Sequence, residues 1–367
     1  MNSRKGFTMI ELLVVLALII VIAAAVIFNL GSFNTKQNLE AAVNSLVAVI
    51  RDVQQRSVTQ QDGQQWGLRF YNTDSDRYDV FKGVSYASGT LDKLYTFRHG
   101  IRFSEPTASS SFDIVFQALT GKITNPKIIS LINNRGDGFV GDIILNQTGL
   151  VTSRIEKDVV GYWHLDEGTS TVAYDASGLS DRDGTIAGAS WQIAANCKGG
   201  GCLSFDGTDD AVSIDLGPLD LAGDFSVVFW VNKNNKTTDN DRFISLIDDA
   251  DNGFQFIADD ATQKYGIFLK RDGVSAIDQL TYGNIVFGSW IHLAYVVSAG
   301  SGTFYNNGAA VASDGSTTIA LAGAGYHIGK RADSQATTFL SGKIDEVRFY
   351  DRALTGTEIL NFYNDLK

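Results

Sequence analysis

Residues 4–15 read RKGFTMIELLVV, and they open an apolar stretch that contains a single acidic residue. Two basic residues precede Gly6, and residues 12–28 then contain no polar side chain. Together with residues 7–10, this segment is long enough to span a bilayer as a helix. Glu11 is the exception, because a carboxylate at the centre of a membrane helix costs about 2.5–3.5 kcal/mol. Its presence in this segment requires a physical reason.

A secretory signal peptide and a plain membrane anchor each account for part of this pattern. Arg4 and Lys5 fit the basic start of a signal peptide, and the alanines at 23–25 fit a cleavage site. However, a carboxylate is unfavourable inside a signal peptide, and the apolar pattern continues beyond these alanines. An anchor explains the length of the segment but leaves Glu11 unexplained.

The stretch KGFTMIELLVV resembles the N-terminal signature of type IV prepilins and type II secretion pseudopilins. In that family a prepilin peptidase cuts after the glycine of a short basic leader, and the new terminal residue is N-methylated. The resemblance implies a leader over residues 1–6, cleavage between Gly6 and Phe7, and methylation of Phe7. It also implies that Glu11 of one subunit pairs with the terminal amine of a neighbour, a buried pair that sets the filament register.

The segment after the apolar stretch predicts a helix packed on a sheet. A helix over residues 7–58 would place one apolar stripe on its second half. Short strands separated by turn signals fill residues 59–155 and predict an antiparallel sheet that covers the stripe. The end of this region resembles the minor pseudopilin H/FimT subfamily, which implies an α+β pilin fold. The stripe residues are Leu39, Val43, Leu46, Ile50 and Val53.

A change in composition follows a short charged link at residues 156–158. Residues 159–367 contain Asp-Gly pairs, aromatic residues and evenly spaced strand patterns, without helical segments between them. This is typical of an all-β sandwich. The stretches LSFDGTDDAVSI and FLSGKIDEVRFYDRALTGTEI resemble the laminin-G-like, concanavalin A-like jelly roll. That family stacks two antiparallel sheets, often holds calcium, and commonly binds carbohydrate or protein.

The net charge and the two cysteines bear on the binding partners and on disulfide formation. The formal net charge is −11, which argues against direct binding of nucleic acid. The two cysteines, Cys197 and Cys202, flank a Lys-Gly-Gly-Gly loop that can bring them together. If this half lies outside the cytoplasm, a disulfide is expected, and two free thiols are the alternative.

The acidic residues of the C-terminal half allow two kinds of site. A retaining glycoside hydrolase needs two carboxylates about 5–5.5 Å apart. Asp345 and Glu346 are adjacent, as are Asp166 and Glu167, so each pair is expected to point to opposite faces of its strand. The sequence therefore predicts that the protein is not an enzyme.

Calcium is the second kind of site. The resemblance to the jelly-roll family implies calcium ligands at Asp206, Asp209 and Asp345, with Asp175 as an outer candidate. Aspartate also caps turns by accepting hydrogen bonds from backbone amides, and this remains the alternative interpretation.

The two resemblances together predict a minor pilin that displays a lectin-like domain for adhesion or carbohydrate binding. The alternative is a pseudopilin of a type II secretion or DNA-uptake system, decorated by the jelly roll. The expected partners are other pilin or pseudopilin subunits, the prepilin peptidase and a surface glycan or protein. The subunit is expected in the cytoplasmic membrane as a single-pass protein, and later in an extracellular or periplasmic filament.

Processing of the leader is directly testable. In a strain with the prepilin peptidase, the mature protein is expected to begin at Phe7, and Gly6→Ala is expected to retain all six leader residues. N-terminal mass spectrometry of membrane protein measures both. A natural protein that begins at Met1, or after Ala25, would contradict the assignment.

Overall fold

The computed structural model describes most of the chain. Gly6 and Phe7 lie outside the described residues; Glu11 lies in the first helix, but its side chain is outside the description. The described residues are 9–73, 76–98, 100–134, 136, 138–179, 182–214, 223–234, 241–247, 253–259, 262–270, 280–314, 325–331 and 338–367.

The described part of the chain forms two α-helices and 24 strands. The helices are α1 Met9–Val58 and α2 Gly356–Leu366. The first eight strands are β1 Trp66–Tyr71, β2 Arg77–Lys82, β3 Thr90–Thr96, β4 Ile101–Glu105, β5 Ser111–Phe116, β6 Lys127–Asn133, β7 Val140–Leu145 and β8 Val151–Glu156. The others are β9 Val159–Trp163, β10 Val172–Ala173, β11 Gly184–Ala187, β12 Ser190–Gln192, β13 Cys202–Asp206, β14 Ala211–Ile214, β15 Phe225–Lys233, β16 Arg242–Ile247, β17 Gly253–Asp259, β18 Lys264–Lys270, β19 Leu280–Asn284, β20 Trp290–Ser298, β21 Ser301–Asn306, β22 Ala309–Asp314, β23 Gly325–Ile328 and β24 Ser341–Tyr350.

The second half of α1 packs on two four-stranded antiparallel sheets. Their strand orders are β3-β2-β1-β5 and β4-β6-β7-β8, and we call α1 from residue 35 together with these sheets the head. The apolar stripe is buried against both sheets. Further towards the N terminus, the described side chains are exposed: Met9, Leu13, Val14, Val15, Leu16 and Leu18. Among the helices of the described residues, none is both long enough and apolar enough to span a membrane.

One glycine sets the distance between α1 and the sheet beneath it. A Cβ atom at Gly141 in β7 would lie 2.6 Å from Cγ2 of Val43 and 3.4 Å from Cδ1 of Leu39. No real Cβ approaches another carbon that closely, so any side chain here would force the helix away. The glycine therefore allows the stripe to be fully buried.

The C-terminal half is a β-sandwich. One sheet has the order β12-β13-β24-β15-β20-β21-β22, with β9 also paired to β24, and the facing sheet has the order β10-β11-β14-β23-β16-β17-β18-β19. Their inner faces form one apolar core that contains residues such as Phe229, Phe256 and Ile344. The predicted jelly-roll-like sandwich is present, and the described residues form predominantly β structure. Helix α2 follows β24 and begins with a capping box between Thr355 and Glu358.

The head and the sandwich are in direct contact, because both faces of the sheet β4-β6-β7-β8 are covered. Every residue of β7 is buried. Ile129 and Ile143 point towards α1, whereas Ile128 and Ile144 belong to an apolar cluster with Trp230 and Leu366 of the sandwich. A second shared cluster joins Ile132 and Val140 to apolar residues of β9, β24 and α2. Only Lys157 and Asp158 separate β8 from β9.

A row of polar residues crosses this covered face of the head. Glu105, Ser130, Asp142 and Arg154 are register partners on the four neighbouring strands β4, β6, β7 and β8. Asp142 is completely buried, and Ser130 donates a 2.6 Å hydrogen bond to it. Arg154 donates to Asp142 at 2.8 Å, to Asp365 of α2 at 2.5 Å, and to Glu156. The Arg154 end of the row is therefore well compensated in charge.

The sandwich supplies the opposing half of this network. Arg348 donates to Glu346 at 2.6 Å and to the hydroxyl of Tyr162. Glu346 also accepts from the Tyr162 hydroxyl at 2.7 Å and lies 2.9 Å from Nδ1 of His164. The other ring nitrogen of His164 lies 3.1 Å from the hydroxyl of Ser130. Burial opposes the charge on Asp142, but Arg154 and Arg348 hold the pKa of that carboxyl below its ordinary value. We call these residues the junction network.

The junction network predicts a large effect of removing one cation. Arg348→Met is expected to lower the free energy of unfolding by about 3–5 kcal/mol, because it leaves buried carboxylates without a counter-charge. Lys157→Met at the exposed link is the matched control and is expected to change stability by less than about 0.5 kcal/mol. Urea denaturation of the full chain in detergent measures both, and equal stabilities would contradict the role of the network.

Candidate functional site

Three carboxylates lie close together at the turn between β13 and β14. Asp206, Asp209 and Asp210 each offer one oxygen, and these oxygens lie within 4.8 Å of one another. Asp206 and Asp209 are exposed, whereas Asp210 is buried. The turn is stabilised locally, because Asp206 accepts from the amide of Thr208 at 2.7 Å and Asp210 accepts from the amide of Asp206 at 2.7 Å. We call these three residues the turn triad.

The donor set of the turn triad fits a hard divalent cation. Calcium takes oxygen ligands at about 2.3–2.6 Å, and three carboxylates on one turn supply such ligands. Burial, and then the charges of Asp206 and Asp209, raise the pKa of Asp210 above its ordinary value. A bound cation would relieve that repulsion. Asp210 was not among the ligands predicted from the sequence, although the doublet Asp209-Asp210 was a signal for it. The two residues lie in a turn, where side chains do not alternate.

The other two predicted metal ligands lie elsewhere. Asp345 is completely buried in β24 and accepts from the amides of Lys198 at 2.7 Å and Gly199 at 3.1 Å. Asp206 is the register partner of Ser341 in β24. Asp345 lies four residues further along that strand, which is about 13 Å from Ser341. Asp175 accepts from the amides of Tyr162 at 2.8 Å and Ser177 at 2.9 Å, which is turn stabilisation. The structure therefore brings Asp206 and Asp209 together but leaves Asp345 and Asp175 apart from them.

The expected orientation of Asp345 and Glu346 is wrong. Glu346 has a backbone φ of 54°, and the register between β24 and β15 shifts at this point, so β24 carries a bulge. A bulge breaks the alternation of side chains along a strand. Both carboxylates consequently contact the same loop, at Lys198 and Gly199. Asp345 accepts hydrogen bonds from the backbone amides of this loop, and a Cβ at Gly199 would lie 2.3 Å from Oε1 of Glu346.

The predicted disulfide closes that loop. Cys197 and Cys202 are bonded, with their Cα atoms 5.5 Å apart, and they enclose residues 198–201. Lys198 extends from the loop towards α2, where its ammonium donates to the carbonyl of Leu366 at 2.8 Å and lies 4.3 Å from the ring centre of Trp230. The disulfide therefore fixes a loop that covers the carboxylates of β24 and contacts the end of the chain.

Two family models match the chain. Residues 1–27 match the prokaryotic N-terminal methylation motif, and residues 206–360 match the concanavalin A-like lectin/glucanases superfamily. The chain thus joins a prepilin-type N-terminal methylation motif to a concanavalin A-like domain, as the two resemblances predicted. No curated protein matches the chain.

Several solved structures have a similar arrangement of strands. Domain 4 of a GH43 extracellular arabinanase from Geobacillus stearothermophilus, in complex with arabinotriose, is 19% identical, with a TM-score of 0.45; the match covers 56% of this chain and 98% of that one. The sialidase of Trypanosoma rangeli in complex with sialic acid is 12% identical, with a TM-score of 0.46; the match covers 82% of this chain and 60% of that one. The binding domain of botulinum neurotoxin serotype G is 16% identical, with a TM-score of 0.42; the match covers 56% of this chain and 50% of that one.

The prediction that the protein is not an enzyme requires correction. Its physical basis was the opposite orientation of two adjacent pairs on strands. For Asp345 and Glu346 this fails at the bulge, and Asp166 and Glu167 lie between β9 and β10, outside any strand. The solved structures with a similar arrangement of strands include sialidases and a domain of an arabinanase. At these low identities and TM-scores the same structures do not establish an activity.

His292, which lies beneath α2, makes the stability of the fold depend on pH. Burial, together with the charges of Arg348 and Arg154, lowers the pKa of His292 to about 3. The folded chain therefore keeps this ring neutral while the unfolded chain protonates it near pH 6.5. As pH falls from 6.5 towards 3, protons bind the unfolded state preferentially, and stability decreases.

His292→Gln is expected to remove this contribution. Between pH 7 and pH 5 the variant is expected to lose about 2 kcal/mol less unfolding free energy than the natural chain. Urea denaturation at a series of pH values measures the difference, and parallel profiles for the two proteins would contradict a neutral buried ring.

Proposed function

We propose that this chain is a filament subunit of the type IV pilin class, a minor pilin of the H/FimT type. It presents a carbohydrate-binding sandwich at the cell surface, and calcium at the turn triad takes part in binding. The proposed divisions are a leader at 1–6, a filament-core helix at 7–58, a β head at 59–155, a link at 156–158 and a jelly roll at 159–367.

The N-terminal part of the proposal rests on the methylation motif. The motif match over residues 1–27 supports cleavage after Gly6 and methylation of Phe7. Glu11 is then the acidic residue that pairs with the amine of a neighbouring subunit. The exposed apolar side chains between Met9 and Leu18 are consistent with a segment that is covered only in a membrane or in a filament.

The exposed turn triad is the observation that carries the binding part of the proposal. Asp206 and Asp209 are exposed at the surface of a domain of the lectin/glucanase superfamily, and their oxygens lie within reach of one cation. A calcium ion held there would keep coordination positions open for hydroxyl groups of a sugar. The junction network holds the sandwich against the head, so the triad would face outwards in a constant orientation on each subunit.

Glycan binding by the full chain tests this function. The protein in detergent is screened on a glycan array with 1 mM calcium and with chelator. Calcium-dependent binding is expected, and Asp209→Asn is expected to weaken it at least tenfold. Asp52→Asn, an exposed aspartate of α1, is the matched control and is expected to bind like the natural chain.

The outcome also separates the proposal from its alternative. Absence of glycan binding, with and without calcium, would contradict the lectin role. It would favour a pseudopilin in which the sandwich is a structural decoration.

A further inference from the structure

A cavity of about 530 Å³ opens where the head meets the sandwich. One wall is the β7–β8 loop of the head, residues 146–150, and the opposite wall contains Cys197 and Lys198 of the sandwich. The end of α2, including Asn364 and Leu366, forms the third wall. The volume lies within the range of small-molecule sites, about 300–1,000 Å³. Neither half of the chain forms this cavity without the other.

The two facing walls are ordered by contacts of their own. Within the β7–β8 loop, Oδ1 of Asn146 accepts a hydrogen bond from the amide of Leu150 at 3.0 Å. Nε2 of Gln54 in α1 donates to the carbonyl of Gly149 in the same loop at 2.7 Å. On the opposite wall, the disulfide closes the short loop that carries Lys198. Because these walls are already fixed, a ligand that binds between them loses little affinity to ordering of the protein.

Lys198 places a positive charge at the cavity in a chain whose net charge is −11. Within the described residues its ammonium contacts a carbonyl and an aromatic ring and forms no ion pair. Burial lowers the pKa of Lys198, and the charge of Asp345 opposes this only in part. Asp365, which also lines the cavity, has its carboxylate bonded to Arg154 at 2.5 Å. An ammonium has three N–H donors, so Lys198 can still bind an anion.

The rest of the lining combines amide groups with apolar surface. Gln147 and Asn364 are exposed at the cavity, and amides both donate to and accept from hydroxyl groups. Leu150, which is 58% exposed, and Pro126 add apolar surface. A sugar ring offers hydroxyl groups at its rim and carbon-bound hydrogens on its face, so this lining suits a sugar. The ammonium suits a sugar that carries a carboxylate.

We propose that the cavity between the head and the sandwich binds an acidic sugar of the uronic acid class. Lys198 of the sandwich pairs with the carboxylate, Gln147 of the head and Asn364 of α2 bond the hydroxyl groups, and the ring packs on Leu150. The choice of a sugar as ligand rests on the proposed function, whereas the position and the charge of the site do not. The turn triad is acidic and would act through calcium, but this cavity requires no metal.

Binding of D-glucuronate and D-galacturonate to the full chain in detergent tests the proposal. Isothermal titration calorimetry is carried out in chelator, so that calcium at the turn triad cannot contribute. At least one of the two uronates is expected to bind. D-glucose, which lacks the carboxylate, and acetate, which lacks the sugar, are expected to bind at least tenfold more weakly. Failure of both uronates to bind would overturn the proposal.

Substitutions on both sides of the cavity locate the ligand. Lys198→Gln is expected to weaken uronate binding at least tenfold, and Lys198→Arg, which keeps the charge, is expected to retain most of it. Gln147→Ala removes an exposed side chain of the head. It is expected to weaken binding about threefold with an unchanged melting temperature, so the test does not depend on the Lys198 variants folding. Lys157→Gln, at an exposed lysine of the link, is the matched control and is expected to bind like the natural chain.

The remaining outcomes are equally decisive. Equal affinities for acetate and the uronates would overturn the assignment of a sugar, and unchanged affinity in both Lys198→Gln and Gln147→Ala would overturn the position. The proposed function fails separately from this site. Uronate binding in chelator, without any calcium-dependent binding on the glycan array, would contradict the role of the turn triad and support the cavity. Calcium-dependent glycan binding without uronate binding would do the reverse.

Discussion

The packing of the head sheet on the sandwich is the contact on which the rest of the structure depends. Strands β6 and β7 use one face to bury the stripe of α1 and the other to bury the outer surface of β9, β24 and α2. Apolar side chains supply most of this second contact. The polar row through Asp142 and Arg154 fixes its register, because a buried charge tolerates few alternative positions.

This contact holds the head and the sandwich in a fixed relative position. A two-residue link and a buried ionic network are incompatible with a sandwich that moves freely on a tether. A sandwich expressed alone would lack Asp142 and Glu156, the carboxylates of the head that lie 3.5 Å and 3.9 Å from the guanidinium of Arg348. In the filament that we propose, the same rigidity would hold the turn triad of every copy in one orientation. Binding geometry would then follow the symmetry of the filament.

The local patterns of the chain could be predicted from the sequence. The stripe from Leu39 to Val53, the strand alternation and the bonded pair Cys197–Cys202 depend on residues close in sequence. The features that were missed depend on contacts between distant segments. From the sequence alone, Asp142 is expected to be an exposed residue of a strand. It is buried because the sandwich packs on that face of the sheet. The bulge at Glu346 follows from how β24 is shared between β13, β9 and β15, which a single strand pattern does not encode.

Calorimetry of the full chain in detergent tests most directly whether the head and the sandwich form one unit. If the junction network joins them as described, the chain is expected to unfold in a single transition whose calorimetric and van't Hoff enthalpies agree. Two separate transitions, one unaffected by Arg348→Met, would contradict that account.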